Sequence, residues 1–210
     1  MTMDEIEKTF DVWAKNGRAK LMEEEHGKNV SKFFSKIKFE EPFTFLDVGC
    51  GNGWVVRKIG ALENCKKSIG IDKSKTMISQ AKKLSDNKGQ FFYSDVESFK
   101  TRQKFDFIFS MESLYYADSV EKALRKIYTL LNPEGQFACG TDFYSDNKAT
   151  KRWKKMMNIQ MHLYSKKEWK SMFENAGFEV KTKQVKDPKS KKKWKREFGT
   201  LFIIGTKPKK

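Results

Sequence analysis

The feature that most constrains this 210-residue chain is a glycine-rich loop behind a short apolar run, in the segment FTFLDVGCGNGW at residues 43–54. The apolar run is typical of a buried β-strand, and glycines follow it at alternate positions, Gly49, Gly51 and Gly53. Ligands of open α/β sheets bind at the carboxyl ends of the strands, and glycine lets the backbone approach a ligand closely. We therefore expect a small ligand to bind where this first strand ends.

The spacing of the glycines excludes two common phosphate-binding loops. A dinucleotide loop, G-x-G-x-x-G, needs its third glycine at the position of Trp54. A P-loop needs Gly-Lys followed by Ser or Thr, and this loop contains no such segment. The pattern that fits is D-x-G-x-G-x-G, from Asp47 to Gly53.

The rest of the chain alternates between short apolar runs and helical patterns, which predicts a parallel sheet wrapped by helices. A capping box at Ser165 opens a late helix that stops at Gly177, and the strand-like runs 178–185 and 198–206 follow it as a hairpin. The fold class is therefore predicted as α/β, with one doubly wound, seven-stranded, mostly parallel sheet and an antiparallel last strand. The earlier strands are predicted at 43–48, 67–71, 90–93, 105–109 and 136–140, and helices at 53–62, 74–85 and 118–131.

The two ends of the chain differ from this core. The N-terminal part reads as helical with a break near Asn16 and Gly17, which predicts a helical cap at 1–40 in front of a core at 41–210. From about residue 148 the chain is strongly basic. Residues 148–210 hold 20 Lys and Arg against five Asp and Glu, a net charge of +15 out of +16 for the whole chain.

Several motifs, in the same order, resemble the class I S-adenosylmethionine-dependent methyltransferases, particularly the small-molecule group that includes the ubiquinone and menaquinone pathway enzymes. LDVGCGNG is similar to the family's first motif, IGIDKSKTMISQAKK to the acidic end of its second strand, and FYSDVESF to its third-strand Asp motif. FDFIFSMESLYYAD is similar to its fourth strand with the loop over the methyl group. LLNPEGQF is similar to its LKPGG turn, with Glu134 replacing the first glycine. The resemblance runs from about Phe43 to the final strand and implies a Rossmann-like methyltransferase fold.

The resemblance also implies S-adenosylmethionine as the methyl donor, with S-adenosylhomocysteine as the product. Gly49 and Gly51 would pass close to its ribose and methionine portion, Asp72 would accept from the ribose hydroxyls, and Asp95 from the adenine amino group. Taken singly, Asp47 is also consistent with a turn cap and Asp95 with a helix N-cap. The N-terminal helices resemble the cap helices of such enzymes. The residues expected to bind the cofactor are Trp13, Arg18, Met22, Asp47, Gly49, Cys50, Gly51, Asp72, Lys73, Met77, Asp95, Val96 and Met111.

Methyl transfer is an in-line displacement, so positioning can supply much of the catalysis and a base is needed only when the nucleophile must lose a proton. The candidate catalytic residues are His26, Tyr115 and His162. The alternatives are a solvated role for His26 and a packing role for His162. The aromatic residues could form a cation–π site for an amine or sulfonium, or serve only as lid and core. Further pocket candidates follow strands four and five: Met111, Glu112, Tyr116, Asp142, Phe143 and Tyr144.

Three functions are consistent with this pattern. The first is a methyltransferase for a small-molecule acceptor, and the second is a tRNA or RNA methyltransferase that uses the basic tail, in which Lys191–Lys193 and Trp194 could bind RNA. The third is a noncatalytic S-adenosylmethionine-binding subunit. Lysines outnumber arginines by 37 to 6, which also fits a merely solvated basic surface.

Cysteine content and hydropathy bear on the location of the protein. Three cysteines, odd in number and not at metal-ligand spacing, indicate reduced thiols in a cytoplasm and no metal site. No apolar run approaches the length of a membrane span, and the first residues, MTMDEIEKTF, are too polar for a secretory signal. We therefore expect a cytoplasmic location. The sequence indicates no oligomeric state.

Overall fold

The computed structural model of the protein describes residues 3–39, 41–85, 88–157 and 159–209. Its strands are β1 (Phe43–Val48), β2 (Cys65–Asp72), β3 (Gly89–Tyr93), β4 (Phe105–Met111), β5 (Leu131–Thr141), β6 (Glu179–Val185) and β7 (Thr200–Thr206). They form one seven-stranded sheet in the order β3-β2-β1-β4-β5-β7-β6. Only β7 runs antiparallel to its neighbours, β5 and β6. The predicted fold class is confirmed.

The helices begin where capping residues predict. Ser74, Ser119 and Ser165 each accept a hydrogen bond from a backbone N–H of the following turn, and Ser165 completes the predicted capping box. Gly17, with φ of 80°, separates the first two helices. Within the described ranges, none of the helices has the length and apolar character needed to cross a membrane. The helices are α1 (Met3–Lys15), α2 (Arg18–Phe34), α3 (Trp54–Gly60), α4 (Lys75–Lys83), α5 (Val120–Leu130), α6 (Trp153–Met157) and α7 (Lys166–Asn175).

Apolar side chains alternate between the two faces of the sheet, because successive residues of a strand point to opposite sides. Phe45 and Phe109 belong to the core under α2 and α3, where Phe33 of α2 packs on Phe109 with ring centroids 6.2 Å apart. Leu46 and Ile108 belong to the larger core under α5 and α7. Helices therefore cover both faces, and the loops at the carboxyl ends of the strands are left to form a site.

The order of the strands reverses between β1 and β4, which lie side by side in the centre of the sheet. The chain leaves β1 towards β2 and β3 on one side, and leaves β4 towards β5 on the other. In a doubly wound sheet this reversal opens a crevice at the carboxyl ends of the two strands. The glycine loop follows β1 and the segment from Glu112 follows β4, so both border this crevice.

Two segments differ from the sequence-based expectations. β5 begins at Leu131, directly after α5, and its pairing with β4 shifts between Phe105 and Phe107 because four residues bulge out. Glu134 in this bulge has φ of 63°, a backbone conformation that suits the glycine of the family's turn. The connection between the strand-like runs 178–185 and 198–206 ends in a helical turn at Trp194–Phe198, and Lys195 is buried there. Periodicity did not reveal that turn because it spans only five residues.

Candidate functional site

The glycine loop after β1 has two glycines whose surroundings differ. Gly49 has φ of 75°, and a Cβ added there would lie 1.8 Å from Oγ of Ser113. Gly51 has φ of 53°, and a Cβ added there would meet no atom within 4 Å. Gly51 therefore borders open space for a ligand, whereas Gly49 gives room to the loop after β4. That both glycines also lie close to a bound cofactor stays a prediction.

Two acidic residues follow β2 and β3. Asp72 accepts hydrogen bonds from the backbone N–H groups of Gly51 and Ser74, each at 2.8 Å, and so ties the glycine loop to the start of α4. Asp95 accepts from the backbone N–H and the hydroxyl of Ser98, at 2.8 and 2.7 Å. A carboxylate offers about four lone-pair sites, so each residue keeps acceptor capacity for hydroxyl or amino groups of a ligand.

The environments of these two carboxylates shift their pKa values in opposite directions. Burial raises the pKa of Asp72, and the N–H donors of Ser74 and Gly51 offset this only in part. Burial also acts to raise the pKa of Asp95, but the hydrogen bonds from Ser98 outweigh it and the pKa is lowered. Asp95 is therefore held as a carboxylate, while Asp72 gains from any donor that a ligand brings.

A first cavity of about 440 Å³ lies against the glycine loop, a volume within the range of small-molecule sites. It is open to the ends of β1, β2, β3 and β4 and is bounded by Ile6 and Phe10 of α1 and Met22 of α2. Nine of the residues predicted to bind the cofactor line it: Met22, Gly49, Gly51, Asp72, Lys73, Met77, Asp95, Val96 and Met111.

A second cavity of about 530 Å³ lies on the other side of Glu112. Met22, Glu112 and Tyr116 line both cavities, so the two meet at these side chains. The wall of the second cavity is mostly aromatic and thioether, from residues far apart in the sequence. Its lining includes Trp13, Arg18, His26, Tyr115, Trp153, Met156, Met157, Met161, Lys192 and Trp194.

The remaining predicted residues fall in three places. Trp13 and Arg18 line the second cavity rather than the first, and the Arg18 guanidinium lies 3.9 Å from the centre of the Trp13 ring. Asp47 and Cys50 line a third, small cavity of about 60 Å³ beneath the glycine loop. His162 lines none of these three cavities. Its Nε2 lies 3.0 Å from the carbonyl oxygen of Ala117 and its ring stacks on Tyr164.

A buried polar cluster brings two of the predicted catalytic residues together. Tyr115 donates a hydrogen bond to Oε2 of Glu112 at 2.9 Å, and the backbone N–H of Asp142 donates to Oε1. His26 Nδ1 lies 3.4 Å from Oδ2 of Asp142, an ionic contact without hydrogen-bond geometry, and neither atom has another hydrogen-bond partner among the described residues. Thr200 donates to the other Asp142 oxygen at 2.6 Å. α2, β4, β5 and β7 thus converge on one group of ionisable side chains.

Burial and mutual contacts raise the pKa values of three groups in this cluster, Glu112, His26 and Tyr115. Burial, together with the charge of Asp142, raises the pKa of Glu112 to about 7. Burial alone would lower the pKa of His26, but the contact with Asp142 outweighs it and the pKa is raised. Burial and the Glu112 charge raise the pKa of Tyr115 far above its usual range, so its phenol stays protonated and acts as a donor to Glu112.

Sequence reasoning named Glu112 and Asp142 only as pocket candidates without a chemical role, and it missed the part of the second cavity's wall formed by Trp153, Met156, Met157 and Met161. Glu112 carries one local signal, because its φ of 51° is a strained conformation for a residue with a side chain. Trp153 and Trp194 give no such signal. They meet edge to face, with ring centroids 5.1 Å apart, although 41 positions separate them in the chain.

The chain matches known proteins over most of its length. A family model described as a methyltransferase domain matches residues 18–183. Sterol 24-C-methyltransferase of Candida albicans is 29% identical over 164 residues, which cover 69% of this chain and 42% of the relative. A tRNA U34 carboxymethyltransferase of Idiomarina loihiensis is 28% identical over 129 residues, covering 54% of this chain and 39% of the relative. This chain thus spans about two fifths of the length of these relatives.

A solved structure matches the whole fold. It is a Haloferax volcanii chain, assigned as a methyltransferase, in complex with the Trm112 methyltransferase activator. The TM-score is 0.89 at 27% identity, over 95% of this chain and 97% of that one. Because the family model covers more than half of the sequence, the protein belongs to the methyltransferase-domain family, and its fold is the Rossmann-like fold of the class I methyltransferases.

Proposed function

We propose that this protein transfers a methyl group from S-adenosylmethionine to a small-molecule acceptor by in-line displacement at the methyl carbon. The observation that carries the proposal is the junction of two cavities at Met22, Glu112 and Tyr116. The first cavity has the glycine loop and the acidic residues of a donor site, and the second is a separate space for an acceptor. Two reactants held on either side of one junction are positioned for a displacement without needing further catalytic groups.

The residues of the first cavity fit S-adenosylmethionine. The open space beside Gly51 admits a ligand against bare backbone, and Asp72 and Asp95 line the same cavity with acceptor capacity to spare. Asp72 would hold the ribose hydroxyls and Asp95 the adenine amino group. When bound, the donor supplies a methyl group activated by its attachment to a positively charged sulfur. Met22 and the α1 side chains Ile6 and Phe10 would exclude water from this side of the junction.

The walls of the second cavity favour a small acceptor over RNA. Trp194, which could have stacked on an RNA base, packs against Trp153 and forms part of the wall. Lys192 pairs with Glu25 of α2, and the nearby Lys28 pairs with Asp187 at 2.7 Å. The basic loop is therefore folded onto α2 and helps close the cavity.

RNA remains the second candidate because of two specific observations. The tail carries a net charge of +15, and one relative is named for tRNA modification. If RNA is the acceptor, its affinity must fall steeply with salt, since each neutralised phosphate releases counterions. A salt-independent affinity would exclude this candidate. A noncatalytic subunit, the third hypothesis, is disfavoured by the presence of both the glycine loop and the acidic residues around a cavity.

The donor site is tested by calorimetry. We expect S-adenosylmethionine to bind the wild-type protein, and Asp72→Ala to weaken the affinity at least about tenfold, equivalent to about 1.4 kcal/mol. Asp118→Ala is the matched control, because Asp118 lies at the outer end of the same cavity and carries none of the glycine-loop hydrogen bonds. Unchanged affinity in Asp72→Ala would remove the donor assignment. A screen with labelled methyl donor against extract fractions of RNA, protein, lipid and small molecules would then identify the acceptor class.

The Haloferax structure supports a proposal about partners. Because that chain was solved with the Trm112 activator, a Trm112-like protein is a candidate partner of this one. Co-expression followed by affinity purification tests it, and failure of such a protein to co-purify would count against it. The three free cysteines support a cytoplasmic location, which cell fractionation would check.

A further inference from the structure

We infer that the acceptor is an amine, that the second cavity holds it as an ammonium ion between aromatic walls and the Glu112 carboxylate, and that Glu112 takes its proton before methyl transfer. This inference rests on the proposed function and deepens it by naming the chemical class of the acceptor. The evidence is the position of Glu112, the character of the walls and the balance of charge around them.

Glu112 lies at the junction of the first two cavities, beside which the proposed reaction places the acceptor atom. It lines the first, second and third cavities, and is one of three residues common to the first two. Each of its oxygens accepts one hydrogen bond, from the Asp142 backbone N–H and from the Tyr115 hydroxyl. These two donors fix the orientation of the carboxylate and leave a lone pair on each oxygen free for an acceptor N–H.

The walls of the second cavity suit a cation. Trp13, Trp153 and Trp194 line it together with Tyr115 and Tyr116, so aromatic rings surround the space beside Glu112. Aromatic faces attract ammonium ions by up to about 2 kcal/mol when water is excluded. The rings also supply an apolar surface for the body of an arylalkyl or alkyl amine. A carboxylate or phosphate acceptor would instead be repelled by Glu112.

The charged groups around the cavity leave Glu112 without a direct ionic partner among the described residues. Glu112 and Asp142 are two carboxylates, and His26 balances one of them through its contact of 3.4 Å with Asp142. Lys192 is paired with Glu25. Arg18 is exposed and stacks on Trp13 at the rim. Lys195 is also buried nearby and its charge acts on both carboxylates, but its Nζ lies over the Trp194 ring, 4.9 Å from the centroid. Among the ion pairs of the described residues, none joins a cation directly to Glu112, so an ammonium ion of the acceptor could pair with it.

The reaction balances with groups already present. An acceptor R–NH₃⁺ gives one proton to the Glu112 carboxylate and becomes R–NH₂. The nitrogen lone pair then forms the N–C bond to the donor methyl while the C–S bond breaks, and its electron pair stays on sulfur. The products are R–NH₂–CH₃⁺ and S-adenosylhomocysteine, with the first proton on Glu112. Release of that proton to solvent through the second cavity restores the carboxylate.

The acidity of Glu112 supports this role, because its pKa of about 7 lets it both accept and release a proton near neutral pH. The groups that face it come from every packed element. They are His26 of α2, Tyr115 and Tyr116 after β4, Cys139 and Asp142 of β5 and its loop, and Lys195 of the last helical turn. After burial, the charge of Asp142 does most to raise the pKa of Glu112, whereas the charge of His26 and the hydrogen bond from Tyr115 act to lower it.

The first test measures recognition of the charge. Calorimetry in saturating S-adenosylhomocysteine compares phenethylamine and tryptamine with their hydroxyl isosteres, phenylethanol and tryptophol. We expect at least one amine to bind about tenfold more tightly than its alcohol, a difference of about 1.4 kcal/mol. Glu112→Gln should abolish this difference, and the exposed Glu24→Gln on the same helix as His26 should keep it. The inference is overturned if no amine binds more tightly than its alcohol.

The second test measures proton transfer. Labelled-methyl transfer to the tighter amine should rise with pH through about 7 in the wild type, and Glu112→Gln should lower kcat about a hundredfold and remove this rise. Binding of S-adenosylhomocysteine by Glu112→Gln shows that the variant is folded. If Glu112→Gln weakens S-adenosylmethionine at least about tenfold more than S-adenosylhomocysteine and leaves amine binding intact, Glu112 serves the donor sulfonium instead and the inference is wrong.

The two proposals fail differently. A wild-type protein that does not bind S-adenosylmethionine contradicts the proposed function itself. A protein that binds the donor and methylates an alcohol, thiol or carbon acceptor without preference for amines contradicts only the inference about the acceptor.

Discussion

The first and second cavities share three residues, yet the sequence encodes them in different ways. The first is built by loops that follow consecutive strands, with its polar groups between Gly49 and Asp118. The second draws on α1 and α2, the loop after β4, α6 and the last helical turn, from Trp13 to Trp194. Motifs of a few residues therefore specify the first cavity, whereas only the packing of distant elements specifies the second.

The largest expected effect tests how tightly the loop of the first cavity is packed. In Gly49→Ala the new Cβ would overlap Ser113, and φ of 75° adds the strain of a left-handed conformation. We expect the free energy of unfolding to fall by about 3 kcal/mol or more. Gly51→Ala is the matched control. It has a similar φ but open space around its Cβ, so its cost should be only about 1 kcal/mol.

Chemical denaturation measures both variants, and calorimetry adds a second comparison. Gly51→Ala should remain folded and lose affinity for S-adenosylmethionine, because its Cβ points into space that the ligand would use. Equal loss of stability in the two variants would show that backbone strain, and not the contact with Ser113, dominates at Gly49.

The second-largest expected effect is the pH dependence of stability caused by Glu112, at the junction between the first and second cavities. Folding raises the pKa of Glu112 from 4.5 to about 7, so the fold is stabilised by its protonated form. That contribution is complete below pH 4.5 and is lost as the pH rises through about 7, where the buried carboxylate becomes charged. Glu112→Gln is neutral throughout. We therefore expect its Tm to exceed that of the wild type at about pH 8.5 by several degrees, and to match it at about pH 4.

Thermal unfolding at the two pH values, with Glu24→Gln as a control, measures this difference. A Tm that is equal for both proteins at high pH would show that Glu112 is not held under a desolvation penalty. The expected result would mean that the protein keeps a destabilising carboxylate at the junction, which is understandable only if the group acts on a ligand.

The same contrast explains what could be predicted from the sequence. Alternating apolar runs, the capping box at Ser165 and the glycine loop are local signals, and they predicted the fold class and the ligand-binding loop after the first strand. The residues now found around the first cavity came from the resemblance of short motifs to the methyltransferase family. The ion pair of Lys192 with Glu25 and the contact of Trp153 with Trp194 join residues that are distant in the chain, and no local pattern encodes them. Arg18 was expected at the donor site because the sequence does not indicate which cavity its helix faces. In the structure Arg18 lines the second cavity.

A smaller effect separates the ligands of the two cavities. Trp194→Ala removes an aromatic wall of the second cavity but touches nothing in the first. We expect KM for the acceptor to rise about tenfold, while the affinity for S-adenosylmethionine stays within about twofold of wild type. Phe92→Ala is the control, because Phe92 is an exposed aromatic residue on the edge strand β3 and lines neither cavity. A loss of donor affinity in Trp194→Ala would show that the two cavities are coupled.

The smallest effect concerns the basic loop that closes the second cavity. Lys192→Ala removes the ion pair with Glu25, which is partly exposed, so the free energy of unfolding should fall by no more than about 0.5 kcal/mol. Lys191→Ala, an exposed neighbour whose side chain makes no contact among those described, should change nothing measurable. If the loop were an RNA-binding arm, both variants would instead lower RNA affinity alike and reduce its salt dependence by about one counterion each. Denaturation together with a salt titration of tRNA binding therefore distinguishes a cavity wall from an RNA-binding arm. The effects of Lys192→Ala and Lys191→Ala should differ from each other only if the loop forms a cavity wall.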